Sequence, residues 1–289
     1  MKIDFIAKSL AVAGIVAWSA SGFAQSQPEL SSGFIEVPGA KIFYRDTGGR
    51  GLPVIFLHAN TGSADVWEHQ IPAFTAAGYR FIAYDRRGFG RTAADAAGPA
   101  STGADDLLTL IDQLKIGKFH LVGTAGGGFV AVDFAISYPQ RLRSFTLLCS
   151  TAGVQDSDYV EAARRIRPDG FEKMPNSFLE LSPSYRFANP DGLARWSEFE
   201  RKNRAPEADR GPAQPSKNRV TLAMIEGIKI PTLVIAGDAD LYAPPAMMRR
   251  IADRINGAQF IALPDAGHSV WWELPDQFNR TVLTFITKH

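Results

Sequence analysis

A run of apolar residues meets a cluster of glycines at Leu121-Val122-Gly123-Thr124-Ala125-Gly126-Gly127-Gly128. Residues 119–124 have the length and apolar character of a buried strand, and residues 126–137 follow with a helical pattern. A strand that turns directly into a helix needs small residues, because the backbone folds back tightly at the junction. A phosphate-binding loop has a similar outline, but the G-x-G-x-x-G spacing and the Lys-Ser/Thr ending are missing here. The stretch therefore predicts a sharp strand-to-helix turn with Ala125 at its apex.

The alternation of strand and helix extends from this turn in both directions. Further apolar segments predict strands at residues 33–37, 42–46, 53–58, 79–85, 144–150, 231–236 and 259–263. Helical patterns follow several of them, at residues 66–77, 244–255 and 275–287. This alternation is typical of an α/β fold, here a mostly parallel eight-stranded sheet with helices on both faces. Functional groups then belong at the carboxyl ends of the strands.

Four polar motifs stand where predicted strands end. They are His58-Ala59-Asn60-Thr61-Gly62-Ser63, Asp85-Arg86-Arg87-Gly88-Phe89-Gly90-Arg91-Thr92, Gly237-Asp238-Ala239-Asp240 and Asp265-Ala266-Gly267-His268. The carboxyl ends of parallel strands lie along one edge of a sheet, so these motifs and the apex at Ala125 are expected to gather there. An acid and a histidine on separate strand ends are a pair that general acid–base catalysis can use.

In order and spacing these motifs resemble those of the α/β-hydrolase superfamily, and the resemblance covers nearly all of the chain after residue 24. It implies that the glycine-rich turn is a nucleophile elbow, G-x-S-x-G, in which Ala125 replaces the serine. It also implies that His268 is the base and that Asp240 orients it, with Asp238 as the weaker candidate acid.

The resemblance also assigns the remaining two motifs. The backbone amides of Asn60 and Gly126 are expected to form the oxyanion hole that stabilises the negative charge of a tetrahedral intermediate. The motif that begins at Asp85 is expected to be structural and to brace the loop beside the site.

Alanine at position 125 removes the oxygen on which a serine hydrolase depends, because it has no proton for the histidine to take. The chain is then either an inactive form in which a serine has been replaced, or an enzyme in which His268 activates water directly. A lyase or isomerase needs a base but no acyl-enzyme and is a further alternative, as is a binding or sensor protein on the same fold. Thr124 and Ser150 are the candidate substitute nucleophiles.

The alternation stops between residues 151 and 228, where the composition shifts to Arg, Asp, Glu and Pro. Helical patterns at residues 158–166 and 192–203 predict a helical lid inserted into a core formed by residues 25–150 and 229–289. The aromatic side chains of Trp67, Trp271, Trp272, Tyr185, Phe187 and Trp196 are candidates for an apolar pocket under this lid. Such a pocket suits a small, uncharged or weakly charged organic ester, lactone or C–C bond substrate.

Composition excludes several classes of partner. Once Lys2, Lys8 and Asp4 are removed with the N-terminal segment, 29 basic and 29 acidic residues remain, so the charge balance does not favour nucleic acid. No group of His, Cys and carboxylate residues has metal-ligand spacing, and no cofactor is implied. A small-molecule substrate is the expected partner. The single cysteine, Cys149, cannot form an internal disulfide.

Residues 1–24 have the pattern of a cleavable export signal. Lys2 and Lys8 form a basic region, residues 10–18 are a short apolar run, and Gly22-Phe23-Ala24 ends in a small residue. The apolar run is much shorter than the ~20 residues that span a bilayer, which argues against an uncleaved anchor and stable membrane insertion. The mature protein is expected to be secreted or periplasmic.

Cleavage after Ala24 can be tested directly. Mass spectrometry of the exported protein is expected to find Gln25 at its N terminus, because the peptidase cuts after a small residue. A membrane-bound product that retains Met1 would contradict the prediction.

Overall fold

The computed structural model describes residues 30–289. The predicted export signal lies outside the described residues. Within them, no helix combines the length and the apolar character that a membrane span requires.

A sheet forms the centre of the described chain. Its strands are β1 Ser31–Val37, β2 Ala40–Asp46, β3 Pro53–Leu57, β4 Arg80–Tyr84, β5 Ala93–Ala94, β6 Phe119–Thr124, β7 Leu142–Leu148, β8 Thr232–Gly237 and β9 Gln259–Leu263. Eight of them lie in the order β1-β2-β4-β3-β6-β7-β8-β9, and β5 pairs with β2. The pairs from β4 to β9 are parallel, whereas β1, β4 and β5 are antiparallel to β2. The predicted mostly parallel α/β sheet is confirmed, with β5 as a ninth strand too short to leave a periodic pattern.

The helices lie between and beside these strands. They are α1 Gln70–Ala76, α2 Gly103–Gln113, α3 Ala125–Ser137, α4 Ser157–Arg165, α5 Asn176–Glu180, α6 Pro183–Ala188, α7 Pro190–Lys202, α8 Leu222–Glu226, α9 Pro245–Ala252, α10 Val270–Glu273 and α11 Pro275–Ile286. Helix α2 was not predicted from the sequence, although Thr102 caps its N terminus and Leu107, Leu110 and Ile111 recur at helical spacing on its buried face.

Both faces of the sheet are buried, as a parallel sheet covered by helices requires. Successive side chains of a strand point to opposite faces, and in β3 Ile55 belongs to one apolar cluster while Phe56 belongs to the other. Leu121 and Val122 divide between the same two clusters in β6. Each of these strands is therefore a continuous apolar run in the sequence, and such a run predicts a buried strand.

Residues 151–228 connect β7 to β8 and contain helices α4 to α8 without adding a strand to the described sheet. This segment is called the insertion below. The patterns at 158–166 and 192–203 correspond to α4 and α7, whereas the short helices α5, α6 and α8 were not predicted. Pro183 and Pro190 stand in the first turns of α6 and α7, where proline has no hydrogen bond to lose.

The motif after β4 braces the carboxyl edge of the sheet. The Asp85 carboxylate accepts hydrogen bonds from the amides of Ala64, at 2.6 Å, and Arg91, at 2.8 Å, and so joins the segment after β3 to its own turn. Arg87 makes a buried bidentate pair with Asp106 of α2, at 2.7 and 2.8 Å. These contacts hold the loop that carries Asn60 beside the start of α3.

The first turn of α3 lies very close to the neighbouring strands. A Cβ atom on Gly127 would collide with the carbonyl oxygens of Leu57 and His58, and one on Gly128 would collide with the Ser150 side chain. The glycines therefore allow α3 to begin between the ends of β3 and β7. Any larger residue must push the helix away from the sheet.

Replacement of Gly127 by alanine is expected to destabilise the protein by about 1–3 kcal/mol, because the overlap is with backbone that cannot rotate aside. The cost of the overlap exceeds the gain of about 1 kcal/mol that replacement of glycine by alanine normally brings to a helix. Gly117→Ala is the matched control, since no atom lies within 4 Å of its added Cβ. Urea unfolding should separate the two variants, and equal midpoints would contradict the proposed overlap.

Candidate active site

The apex of the strand-to-helix turn is Ala125, the first residue of α3. Its φ of +48° lies in the left-handed region, which costs a residue with a Cβ about 1–2 kcal/mol. The backbone keeps this conformation because the glycines fix the position of α3, and because Ser150 Oγ donates a 2.7 Å hydrogen bond to the Ala125 carbonyl. The methyl group of Ala125 lies where the nucleophile of the predicted elbow would stand.

Asp240 and His268 are brought together from two neighbouring strand ends. Asp240 follows β8 and His268 follows β9, and His268 Nδ1 lies 2.9 and 2.8 Å from the two carboxylate oxygens of Asp240. Asp240 Oδ1 also accepts hydrogen bonds from the amides of Tyr242, at 2.7 Å, and Ala243, at 3.0 Å. Asp238, the weaker candidate acid, is exposed. The structure thus places Asp240 as the acid that orients His268.

The electrostatics of this pair favour a protonated histidine. Burial lowers the pKa of His268, but the carboxylates of Asp240 and Glu180 outweigh it and raise the pKa to about 9. Burial also disfavours the charged form of Asp240, yet His268 and the two amides hold the pKa of Asp240 below its ordinary value. At neutral pH, therefore, His268 is an imidazolium beside a carboxylate.

Glu180 is a buried carboxylate of the insertion that sequence analysis did not identify. Its two oxygens accept hydrogen bonds from Thr61 Oγ1, at 3.1 Å, and from Ser269 Oγ, at 3.0 Å. Burial raises the pKa of Glu180, and its negative charge in turn stabilises protonated His268. A glutamate in an amphipathic insertion usually faces solvent, so the sequence pattern contained no sign of this role.

Asn60 and Gly126, the predicted oxyanion residues, both face the cavity that contains His268. Gly126 is the second residue of α3, where amides have no acceptor within the helix. A Cβ on Gly126 would collide with Asn60 Oδ1, so glycine is needed for the two segments to approach. The Asn60 side chain accepts a 2.8 Å hydrogen bond from Arg86 Nη2, and its carbonyl accepts one of 2.7 Å from Asn203 Nδ2.

The two candidate substitute nucleophiles are not arranged for catalysis. Ser150 lines the cavity, but its hydroxyl donates to the Ala125 carbonyl and accepts a 3.2 Å hydrogen bond from the amide of Ala152. Thr124 is fully buried at the end of β6 and does not line the cavity. The hydrogen bonds that His268 makes to side chains in the described chain go to Asp240 alone.

The predicted aromatic pocket is wrong in its main residues. Trp67 and Trp271 are 0% and 2% exposed, and their ring centroids lie 4.9 Å apart in the core cluster that contains Phe56. They pack inward because the turn after β3 and helix α10 cover the sheet at this point. Trp196 and Trp272 belong to the same core cluster, whereas Phe187 is 92% exposed.

The cavity beside His268 has a volume of about 590 Å³ and is largely polar in character. Its aromatic side chains are Phe129 and Tyr242, and the Tyr242 ring centroid lies 4.6 Å from that of His268. The charged side chains that line it are Glu180, Glu200, Arg167, Arg201, Arg204 and Arg210. The expectation of an apolar pocket is therefore corrected, because the insertion contributes arginines where aromatic residues were expected. Among residues 30–289, no cluster of three or more His, Cys, Asp or Glu residues could hold a metal ion.

Comparison with known proteins places these features in a family. The family described as alpha/beta hydrolase fold matches residues 53–275. The "Putative non-heme bromoperoxidase BpoC" of Mycobacterium tuberculosis is 30% identical over 83% of this chain and 95% of its own length.

Two solved structures are similar over most of both chains. A thermophilic esterase from Thermogutta terrifontis, with malate bound, has a TM-score of 0.73 at 26% identity and covers 89% of this chain and 98% of its own. The enol-lactonase from Burkholderia xenovorans LB400 has a TM-score of 0.69 at 26% identity. The match covers 88% of this chain and 100% of the lactonase chain.

Ala125→Ser tests whether the rest of the triad is assembled. The turn is already in the conformation that a nucleophile needs, so the new hydroxyl is expected to react with short aryl esters and with an organophosphonate. The measurements are a burst of one product per chain at pH above about 9, where His268 is neutral, and mass spectrometry of the label at position 125.

The control for this experiment is the double variant Ala125→Ser/His268→Ala, which keeps the hydroxyl but lacks the base. A folded single variant that shows neither burst nor label would mean that the site does not have hydrolase geometry.

Proposed function

The chain belongs to the α/β-hydrolase fold family, and we propose that it hydrolyses small organic carbonyl compounds without an acyl-enzyme. The substrate is an ester, a lactone or a compound with a scissile C–C bond next to a carbonyl group. The observation that carries the proposal is the hydrogen bond from His268 to Asp240, which orients His268 in the cavity that Gly126, Asn60 and Ala125 also line. The esterase and the enol-lactonase with similar structures support this substrate class.

In the proposed mechanism neutral His268 takes a proton from a water molecule, and the resulting hydroxide attacks the carbonyl carbon. The amides of Gly126 and Asn60 stabilise the negative charge on the carbonyl oxygen. Collapse of the intermediate breaks the bond to the leaving group, which receives the proton from His268. Water and ester are thereby converted to acid and alcohol. Asp240 holds the imidazole in position and stabilises its protonated form.

A serine hydrolase that loses its nucleophile retains a roughly thousandfold to ten-thousandfold acceleration over water from the rest of the site. Direct attack by water is therefore physically feasible at Ala125, whose small side chain leaves space at the apex. Slow turnover is the expected cost of this arrangement.

Binding without turnover is the second candidate function, and one observation favours it. At neutral pH the raised pKa of His268 leaves an imidazolium, which holds an anion better than it abstracts a proton. The lyase or isomerase alternative stays a prediction. We also propose that the protein acts outside the cytoplasm, on the basis of the N-terminal signal pattern.

The pH dependence and the His268→Gln variant test the base mechanism together. The base must be neutral, so kcat/KM for a short aryl ester is expected to rise about tenfold per pH unit and to level near pH 9. His268→Gln should lower the rate by at least about a hundredfold.

The matched control is His69→Gln, because His69 is exposed and does not line the cavity. Turnover that is unchanged in His268→Gln would rule out the base mechanism. Absence of turnover in the unmodified chain at every pH would favour the binding function.

A further inference from the structure

Four arginines line the cavity beside His268, and Arg204 and Arg210 are two of them. Arg204 and Arg210 line this cavity and also line a neighbouring one of about 480 Å³, where Arg86 joins them. Both cavities also share Asn60 and Gly126, so the three arginines lie next to the predicted oxyanion residues. These three side chains are called the arginine cluster below.

The arginine cluster has no carboxylate partner among residues 30–289, since no salt bridge within 4.0 Å involves any of the three. By contrast, Arg87 and Arg91 of the same turn as Arg86 are paired with Asp106 and Asp85. Arg86 is the third arginine of this turn. It lines the second cavity and has guanidinium donors that no carboxylate accepts.

The guanidinium groups of the cluster make few hydrogen bonds within the protein. Arg86 donates Nη2 to Asn60 Oδ1, but its Nε is buried without a partner. Arg210 donates Nε to the carbonyl of Ala205 at 2.8 Å. The guanidinium carbons of Arg86 and Arg204 lie 4.6 and 4.5 Å from the Phe89 ring centroid, so the two cations share one aromatic side chain.

The cluster is held in place by backbone hydrogen bonds. The Gly90 amide donates to the Asn203 carbonyl at 2.7 Å, and the Ala205 amide donates to the Gly88 carbonyl at 3.2 Å, which fixes residue 204 between them. Asn203 Nδ2 in turn donates to the Asn60 carbonyl. A preorganised binding group loses little conformational entropy when a ligand arrives.

Bringing these cations together has an electrostatic cost. Burial lowers the pKa of Arg86 to about 10, with Tyr84 opposing the shift and repulsion from Arg204 adding to it. Burial and repulsion from Arg210 lower the pKa of Arg204. With a pKa of about 10, Arg86 remains charged at neutral pH. Glu180 accepts hydrogen bonds from Thr61 and Ser269. Glu200 accepts a 2.8 Å hydrogen bond from Asn176, and its charge offsets part of the cost by raising the pKa of Arg204 without forming a salt bridge to it.

We propose that the arginine cluster is a subsite for a carboxylate group of the substrate, on the side of the cavity next to Asn60 and Gly126. The proposal rests on the proposed function, because it assumes that the cavity beside His268 is the substrate site. Guanidinium groups match carboxylates with paired, charge-assisted hydrogen bonds. The substrate is therefore an ester, lactone or ketone that bears a free carboxylate, rather than the weakly charged compound expected from the sequence.

Succinate is a suitable probe, since one of its carboxylates resembles an acid product and the other is free to occupy the subsite. Isothermal titration calorimetry at low ionic strength should detect succinate binding and weaker binding of the neutral analogue succinamide.

Arg204→Met is expected to weaken succinate binding about tenfold, equivalent to about 1.4 kcal/mol. Arg280→Met is the matched control, because Arg280 is exposed on α11 outside both cavities. Arg210→Met provides a second variant if Arg204→Met does not fold.

Several results would overturn the proposal. These are equal binding of succinate and succinamide, equal loss of affinity in the cluster variants and in Arg280→Met, and tighter binding of inorganic phosphate than of succinate. Direct binding measurements require no turnover. Unchanged turnover in His268→Gln, together with succinate binding that depends on the arginine cluster, would therefore reject the base mechanism alone. Loss of turnover in His268→Gln, together with absence of succinate binding to the unmodified chain, would reject the subsite alone.

Discussion

The close packing of the first turn of α3 against the ends of β3 and β7 is the constraint on which the site depends. Gly127 approaches the Leu57 carbonyl and Gly128 approaches Ser150 at distances that no side chain would allow. The backbone is thereby forced into a left-handed conformation at Ala125, although alanine has no reactive atom to present. Strain of this kind persists only where the surrounding structure imposes it. The same packing brings Gly126 against Asn60, so the apex and the oxyanion residues are positioned together.

The second organising feature is the charge balance around His268. Asp240 and Glu180 are both buried near the imidazole, and charges in a poorly solvated site interact strongly. Two carboxylates stabilise the imidazolium more than burial disfavours it. His268 is consequently a cation at neutral pH and becomes a base only in alkaline solution. The two proposed functions, slow hydrolysis and binding, differ in which protonation state of His268 they require.

The core and the insertion contribute different parts of the chemistry. Asp240, His268 and Gly126 come from strand ends and a helix start of the core, which determine the reacting geometry. The insertion contributes Glu180, which tunes the histidine, and Arg204, which changes the charge of the cavity. In the proposed function, the insertion influences substrate preference and the basicity of His268, whereas the core orients Asp240 and His268.

The sequence by itself determined the sheet, the apex and the acid–histidine pair. Buried parallel strands are continuous apolar runs in the sequence, and motifs at their carboxyl ends meet at one edge of the sheet. The resemblance to the α/β-hydrolase superfamily then singled out Asp240 and His268 among the residues of these motifs. Which way Trp67 and Trp271 face was decided only by tertiary packing, since an aromatic residue suits a core and a pocket equally well. The same holds for Glu180 and Arg204. A charged residue of a helical insertion carries no local signal of burial or of cavity lining, because its surroundings come from segments that are distant in the chain.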